Sequence, residues 1–319
     1  MFGAGAVGGY LGAMLAAAGC DVSLVARGPH LAAIQQNGLT LWRNGKSQTY
    51  AITATDSAAE LGPQDFVLVT LKAHALPGVT AEIRTLLGSD TAVVSAVNGL
   101  PWWYFHRLAS SIAERPLESV DPKGLIWKGI GPERAIGCVV YPSVEVSEPG
   151  VVRHLSDDKF SLGEPSGEKS ERVRSLAKAF IDAGLKAPVR PRIRDEIWVK
   201  LWGNLSFNPL SALTTATLDV LAHDEGIRAV ARTMMVEAQA VGEKHGIRFA
   251  IDVDQRIDAA GSVGAHRTSM LQDLEQGRPL EIGALVESVM EVARLVEQPT
   301  PTIDFIHALL RQRIQARSL

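Results

Sequence analysis

Cysteine is nearly missing from this chain: Cys20 and Cys138 are the only two in 319 residues. They form no short-spaced pair of the kind that holds zinc, and neither has the surroundings of a catalytic thiol. That scarcity points to a reducing, cytoplasmic setting, and no metal site is expected. Long apolar runs are lacking too. None approaches the ~20 residues that span a bilayer, so no membrane association is expected. Nor is there an excess of either charge: 32 Lys and Arg stand against 35 Asp and Glu, a net charge of −3. Without a basic cluster, a nucleic-acid partner is not indicated. The glycine-rich run begins at residue 3, so no secretory leader is expected. Internal repeats and low-complexity segments are absent as well. What remains, 46% hydrophobic and 21% charged residues, is the make-up of a soluble globular chain. Its length suits two domains.

The feature that is present lies at the very start. Gly3-Ala4-Gly5-Ala6-Val7-Gly8 is a G-x-G-x-x-G run that leads into an Ala-rich segment ending at Gly19, then an apolar strand Val22–Val25. In a dinucleotide fold each glycine has its own task. Gly3 permits the tight strand-to-helix turn, Gly5 lets backbone approach a pyrophosphate, and Gly8 lets helix pack on sheet. The N–H groups of Ala6, Val7 and their neighbours at the helix start would face the phosphates. Only Met1 and Phe2 stand where the preceding strand belongs, against about five residues for an ordinary strand, so either the chain starts late in its central strand or further residues precede Met1. The second strand ends Ala26-Arg27-Gly28, with no acid at its end. An acid there would favour NAD, whereas Arg accommodates the 2′-phosphate of NADP. Arg27 therefore points to NADPH, unless it is an ordinary solvated surface arginine.

The first half alternates strands and helices. Leu39–Trp42 and Tyr50–Ala54 flank Asn44-Gly45, a hairpin signal. Asp65–Leu71 and Ala92–Val97 are continuous apolar runs that suit buried parallel strands. From Arg134 to Ser161 the pattern is β-rich, with Ile136–Tyr141 and Val151–Leu155 expected as antiparallel strands on the far edge of the sheet. Helices are expected over 169–184, 194–214, 224–245, 283–297 and 301–316, with Asp224 and Pro301 as starts and Gly246 as a stop. The fold class is thus α/β: a Rossmann-type doubly wound domain over 1–190, with an aromatic insertion near 101–134, and an all-helical domain over 191–319. The ligand crevice should open at the carboxyl ends of the parallel strands, facing the helical domain.

Two strand ends carry polar residues towards that crevice. Lys72 would suit a cofactor phosphate or a substrate carboxylate, and Asn98 a carboxamide or a ribose hydroxyl; a surface Lys and a turn Asn-Gly are the plainer readings. On the segment 194–209, Lys200, Asn204 and Asn208 recur at i, i+4, i+8, so a helix stacks them on one face. Their neighbours Ile197, Trp198, Leu201, Trp202, Leu205 and Phe207 are apolar. A lysine there needs a partner or a task, and burial would lower its pKa towards use as a proton donor. Otherwise it is a rim lysine that snorkels past two tryptophans. Ser269 reads as an N-cap and Glu281 as a first-turn acid.

These pieces together resemble the ketopantoate reductases (2-dehydropantoate 2-reductases). The glycine run, the Lys72 strand end, Asn98-Gly99, the Lys200/Asn204/Asn208-Pro209 helix and Ser269-Met270-x-Gln272-Asp273…Glu281-Ile282 follow the family's order along nearly the whole chain. The resemblance implies NADPH-dependent reduction of a 2-oxo acid on the route to pantothenate, with Lys200 as general acid and Glu281 holding the substrate hydroxyl and coupling to that lysine. It further implies Asn98 as a cofactor and substrate contact, Asn204, Asn208 and Ser269 as substrate ligands, and Lys72 on the cofactor side. Two places depart from the family pattern. The aromatic 101–134 segment, with Trp102, Trp103, Tyr104, Phe105 and Trp127, is long; it is either a lid, a pocket reshaped for a larger 2-oxo acid, or packing. Gly283 stands where many members carry Asp. An opine-type or 3-hydroxyacid dehydrogenase and a non-catalytic NADP(H) sensor are the competing functions, and a homodimer is a plausible assembly.

Overall fold

The structure, a computed structural model, describes residues 1–316. The chain divides into two compact units, Met1–Val97 with Gly124–Ile193, and Asn98–Lys123 with Arg194–Leu319. Residues 98–123 thus fall with the second unit, although they lie within the first half of the sequence.

The first unit runs α1 (Ala6–Ala17), β1 (Ser23–Val25), α2 (Gly28–Asn37), β2 (Leu39–Arg43), β3 (Lys46–Tyr50), β4 (Thr53–Thr55), β5 (Gln64–Val69), α3 (Thr80–Arg84) and β6 (Leu87–Ser95). After the excursion into the second unit come α4 (Leu125–Ile130), β7 (Ala135–Val140), β8 (Ser143–Glu148), β9 (Val151–Ser156), β10 (Phe160–Gly163) and α5 (Glu171–Asp182). The short stretch at Met1-Phe2 is the central strand of the main sheet. Phe2 bridges in parallel to Val25 of β1 on one side and to Val69 of β5 on the other. The resulting order is β4-β1-Phe2-β5-β6-β7-β10, parallel except for β10. Strand order therefore reverses at Phe2, and the glycine run leaves the sheet at that point of reversal, where open α/β sheets bind their ligands. The buried runs of β5 to β7 are covered on both faces, as the continuous apolar pattern requires.

Two sequence expectations change here. The hairpin partner of β2 is Lys46–Tyr50 and not Tyr50–Ala54. Asn44 and Gly45 both take positive φ, 52° and 74°, a two-residue turn that pairs Arg43 directly with Lys46. Thr53–Thr55 instead pairs in parallel with β1. Likewise only β10 lies antiparallel on the far edge of the main sheet, while β8 and β9 join β2 and β3 in a second four-stranded sheet, order β3-β2-β9-β8.

The second unit is helical: α6 (Ile193–Thr214), α7 (Leu218–His223), α8 (Glu225–Lys244), α9 (Val253–Gly261), α10 (Ser269–Glu275), a π-helical turn Gly283–Glu287 running into α11 (Ser288–Leu295), and α12 (Pro301–Gln315). Asp224 caps α8 by accepting from Ile227 N–H, and Glu237 of α8 caps α12 by accepting from Thr302 and Ile303 N–H. The N-cap of α10 is Thr268, whose hydroxyl accepts from Leu271 N–H; Ser269 is the first helical residue and exposed, so the capping role expected of Ser269 belongs to its neighbour.

The aromatic segment is core. Trp102, Trp103, Tyr104 and Phe105 are all at most 1% exposed, as the packing reading of these four rings requires. A hydrogen-bonded chain secures Tyr104 among them. His245 Nδ1 lies 2.8 Å from the Val241 carbonyl, so this nitrogen carries the proton and Nε2 accepts from the Tyr104 hydroxyl at 2.6 Å. The same hydroxyl accepts from Trp198 Nε1–H at 2.6 Å. Burial holds the His245 imidazole neutral, its pKa lowered to about 4.

Candidate active site

The glycine turn of the first unit forms one end of a cleft of about 880 Å³, a volume usual for a cofactor site. Its three glycines differ in just the way the motif demands. Gly3 has φ +102°, a conformation L side chains avoid. A Cβ on Gly8 would lie 2.0 Å from the Gly3 carbonyl oxygen, so helix and turn touch there without a side chain. Gly5 has nothing within 4 Å of its Cβ position; it is exposed and faces open space. It also supplies no side-chain cap to α1, so the N–H groups of Ala6, Val7 and Gly8 head a helix whose positive end is open to an anion. These features fit a dinucleotide. Arg27 lines the same cleft as an exposed side chain, with the carboxylates Asp56, Glu82 and Glu148 also on its walls. Lys72 stands one residue beyond Leu71, a lining residue, and is half-buried.

Two residues that the sequence did not single out shape this cleft. Thr70 donates its hydroxyl hydrogen to the Gly3 carbonyl at 2.5 Å. His30 takes a hydrogen bond from Gly150 N–H at Nδ1 (3.0 Å), so its proton sits on Nε2 and is donated to the Ala4 carbonyl at 2.7 Å. One neutral imidazole thereby ties the glycine turn to the residue that follows the cleft-lining segment 146–149. No local pattern marks His30 in the sequence; the position of Thr70 just before Leu71-Lys72 was the only available hint.

In the second unit, α6 carries Lys200, Asn204 and Asn208 on one face, as the spacing required. Lys200 Nζ donates to Asn98 Oδ1 at 2.7 Å, which brings two of the expected residues together across 102 positions of sequence. Asn208 is 6% exposed, and among the described residues neither its amide nor that of Asn204 has a protein hydrogen-bond partner. Pro209 follows inside the helix and removes the N–H that would bond the Leu205 carbonyl, loosening α6 beside these amides. Glu281 is buried, just ahead of the π-helical turn. Such single π-turns inside helices concentrate at functional sites. Ser269 is exposed on the first turn of α10, and no hydrogen bond joins it to the Lys200–Asn98 pair. Among the described residues no cluster of His, Cys, Asp or Glu gathers to hold a metal, and no helix is long and apolar enough to cross a membrane.

Comparison with known proteins adds to this geometry. The model of the ketopantoate reductase PanE/ApbA family matches residues 1–167, and that of the family's C-terminal part matches residues 192–315. A 2-dehydropantoate 2-reductase of Mesorhizobium japonicum is 59% identical over 313 residues, 98% of this chain and 96% of that protein. A crystal structure from Ralstonia solanacearum MolK2 superposes with a TM-score of 0.95 at 43% identity, covering 100% of this chain and 98% of the other. D-mandelate dehydrogenase in complex with NADH and anilino(oxo)acetate has the same fold, with a TM-score of 0.84 at 22% identity and full coverage of both chains. A glycine turn at the sheet's point of reversal and a helical second unit thus define a pyridine-nucleotide-dependent oxidoreductase. More narrowly, the chain belongs to the ketopantoate reductase family.

Proposed function

We propose that this enzyme reduces a 2-oxo acid with NADPH, 2-dehydropantoate first among them, and that Lys200 is its general acid. The observation that carries this reading is the 2.7 Å hydrogen bond from Lys200 to Asn98, made from a helix on which Ile197, Trp198, Leu201 and Trp202 are buried. The Asn98 amide oxygen holds the ammonium in place. Asn204 and Asn208 present further amide groups in line with it. When bound, the nicotinamide supplies the hydride; the residues of the chain bind, orient and protonate. A carbonyl that accepts hydride becomes an alkoxide, and a fixed ammonium stabilises that developing charge before it gives up its proton. Asn204, Asn208 and Ser269 are assigned to the substrate, and Glu281 to its hydroxyl. Gly3, Gly5, Ala6, Val7 and Gly8 are assigned to the pyrophosphate, Arg27 to the 2′-phosphate, and Lys72 and Asn98 to the cofactor side. The domain limits proposed from sequence, 1–190 and 191–319, are kept for the two functions, with the addition that 98–123 serves the second.

The test is spectrophotometric. NADPH oxidation is followed with ketopantoate and a panel of longer 2-oxo acids and amino-acid/oxo-acid pairs, and the reading requires ketopantoate to give the highest kcat/KM. A higher value for an opine-type pair would assign the second class of reaction. Cofactor binding with no substrate-dependent oxidation would leave only a sensor.

A further inference from the structure

The excursion Asn98–Lys123 meets the π-helical turn of the second unit twice. At its start, Asn98 accepts from Lys200, and the next two residues lie on Ala284: a Cβ on Gly99 would come within 2.2 Å of the Ala284 carbonyl oxygen, to which Leu100 N–H donates at 3.1 Å. Near its end, the excursion returns to the same turn. The Ser119 carbonyl oxygen lies where a Cβ on Gly283 would approach to 2.7 Å. The Glu291 carboxylate of α11 holds that limb, accepting from Glu118 N–H and Ser119 N–H at 2.8 Å each. Two backbone N–H groups on one carboxylate make a charge-assisted clamp with a defined direction. Both limbs of one excursion therefore bracket a turn that begins two residues after the buried Glu281, and one limb also carries the partner of Lys200. Tight backbone contact on both sides leaves the turn no room to shift.

We propose that Gly283 and Glu291 are positioning residues of the active site: the 118–119 limb, seated on Gly283 and held by Glu291, fixes the Glu281 carboxylate with respect to the Lys200–Asn98 pair. The proposal rests on the reading above that Lys200 and Glu281 act on the substrate. Neither residue needs to touch substrate or cofactor. Their effect is on where the acid stands, and misplacement of a reacting group by about 1 Å can cost on the order of 100-fold in rate.

Gly283→Ala and Glu291→Gln test this, with Glu291→Ala as the stronger variant. The expected result is a rise of about tenfold or more in the KM for the 2-oxo acid, with a fall in kcat. The KM for NADPH should be unchanged, and the loss should be smaller for Glu291→Gln, which keeps one acceptor. Because both changes release the same contact, Gly283→Ala/Glu291→Ala should be little worse than the worse single variant. A lowered Tm with unchanged substrate KM and kcat would overturn the proposal, as would an equal loss of NADPH affinity. The parallel variant Lys200→Ala keeps the two readings apart. If it were inert while Gly283→Ala raised substrate KM, the acid assignment would fail and the positioning role would stand. If it were crippled while Gly283→Ala and Glu291→Ala matched the wild type, the positioning role would fail alone.

Discussion

Gly5 and Gly8 are three positions apart in one motif, yet they should fail differently. An alanine at Gly5 meets nothing within 4 Å and a permitted backbone, φ −64°. Gly5→Ala should melt like the wild type while NADPH binding weakens by about tenfold or more, because the methyl occupies the approach of the pyrophosphate. Gly8→Ala would push a methyl against the backbone of Gly3 and should lower Tm instead. Thermal melts paired with fluorescence titration of NADPH distinguish the two; equal behaviour would contradict the assigned tasks. Arg27→Ala should raise the KM for NADPH by about tenfold and leave that for NADH unaltered, since only the 2′-phosphate is lost. The glycines were legible because three of them at this spacing ahead of a helix have few other physical reasons to be there. His30 was not, because its two partners, Ala4 and Gly150, lie 26 and 120 positions away.

At the scale of elements, the Trp198–Tyr104–His245 chain joins α6, α8 and the excursion, and it is pH-sensitive. His245 titrates near 4 in the folded chain because burial disfavours its charged form, against about 6.5 when unfolded. Its folded pKa is depressed, so the stability it contributes is complete above about 6.5 and is lost as pH falls towards 4. The loss is about 3 kcal/mol from this group. Urea unfolding at pH 7 and pH 4.5 should show that decrement in the wild type and not in His245→Gln; equal decrements would contradict it. Asp158 adds a smaller term of the same sign. Burial alone would raise its pKa, but the Tyr10 hydroxyl and the Arg43 charge prevail and lower it.

The long amphipathic helices could be read from periodicity, whereas α7, α9 and α10, of 6, 9 and 7 residues, are too short to show one. The two expected departures from the family pattern meet in the fold. The Ser119 carbonyl of the long segment occupies the space a side chain at Gly283 would need. Only the folded backbone could reveal that coupling.

For the molecule as a whole, the doubly wound α/β class followed from the glycine run and the alternation after it, and the family from five motifs in order. The return of 98–123 to the helical unit was hidden, since Pro101 to Arg134 reads as one insertion in a strand-rich half. The expected seam of a homodimer is α12, where Phe305 and Leu309 are exposed one turn apart, with exposed Val236 next to the Glu237 that caps this helix. Analytical ultracentrifugation should then find a dimer that Phe305→Glu converts to monomer; a wild-type monomer would contradict this. The account as a whole depends on one ammonium group, and Lys200→Ala in steady-state turnover with a 2-oxo acid tests it most directly. Loss of a general acid predicts a fall in kcat of at least about 100-fold, with the Kd for NADPH unchanged by fluorescence titration. An unaltered kcat would remove Lys200 from the chemistry and contradict the account.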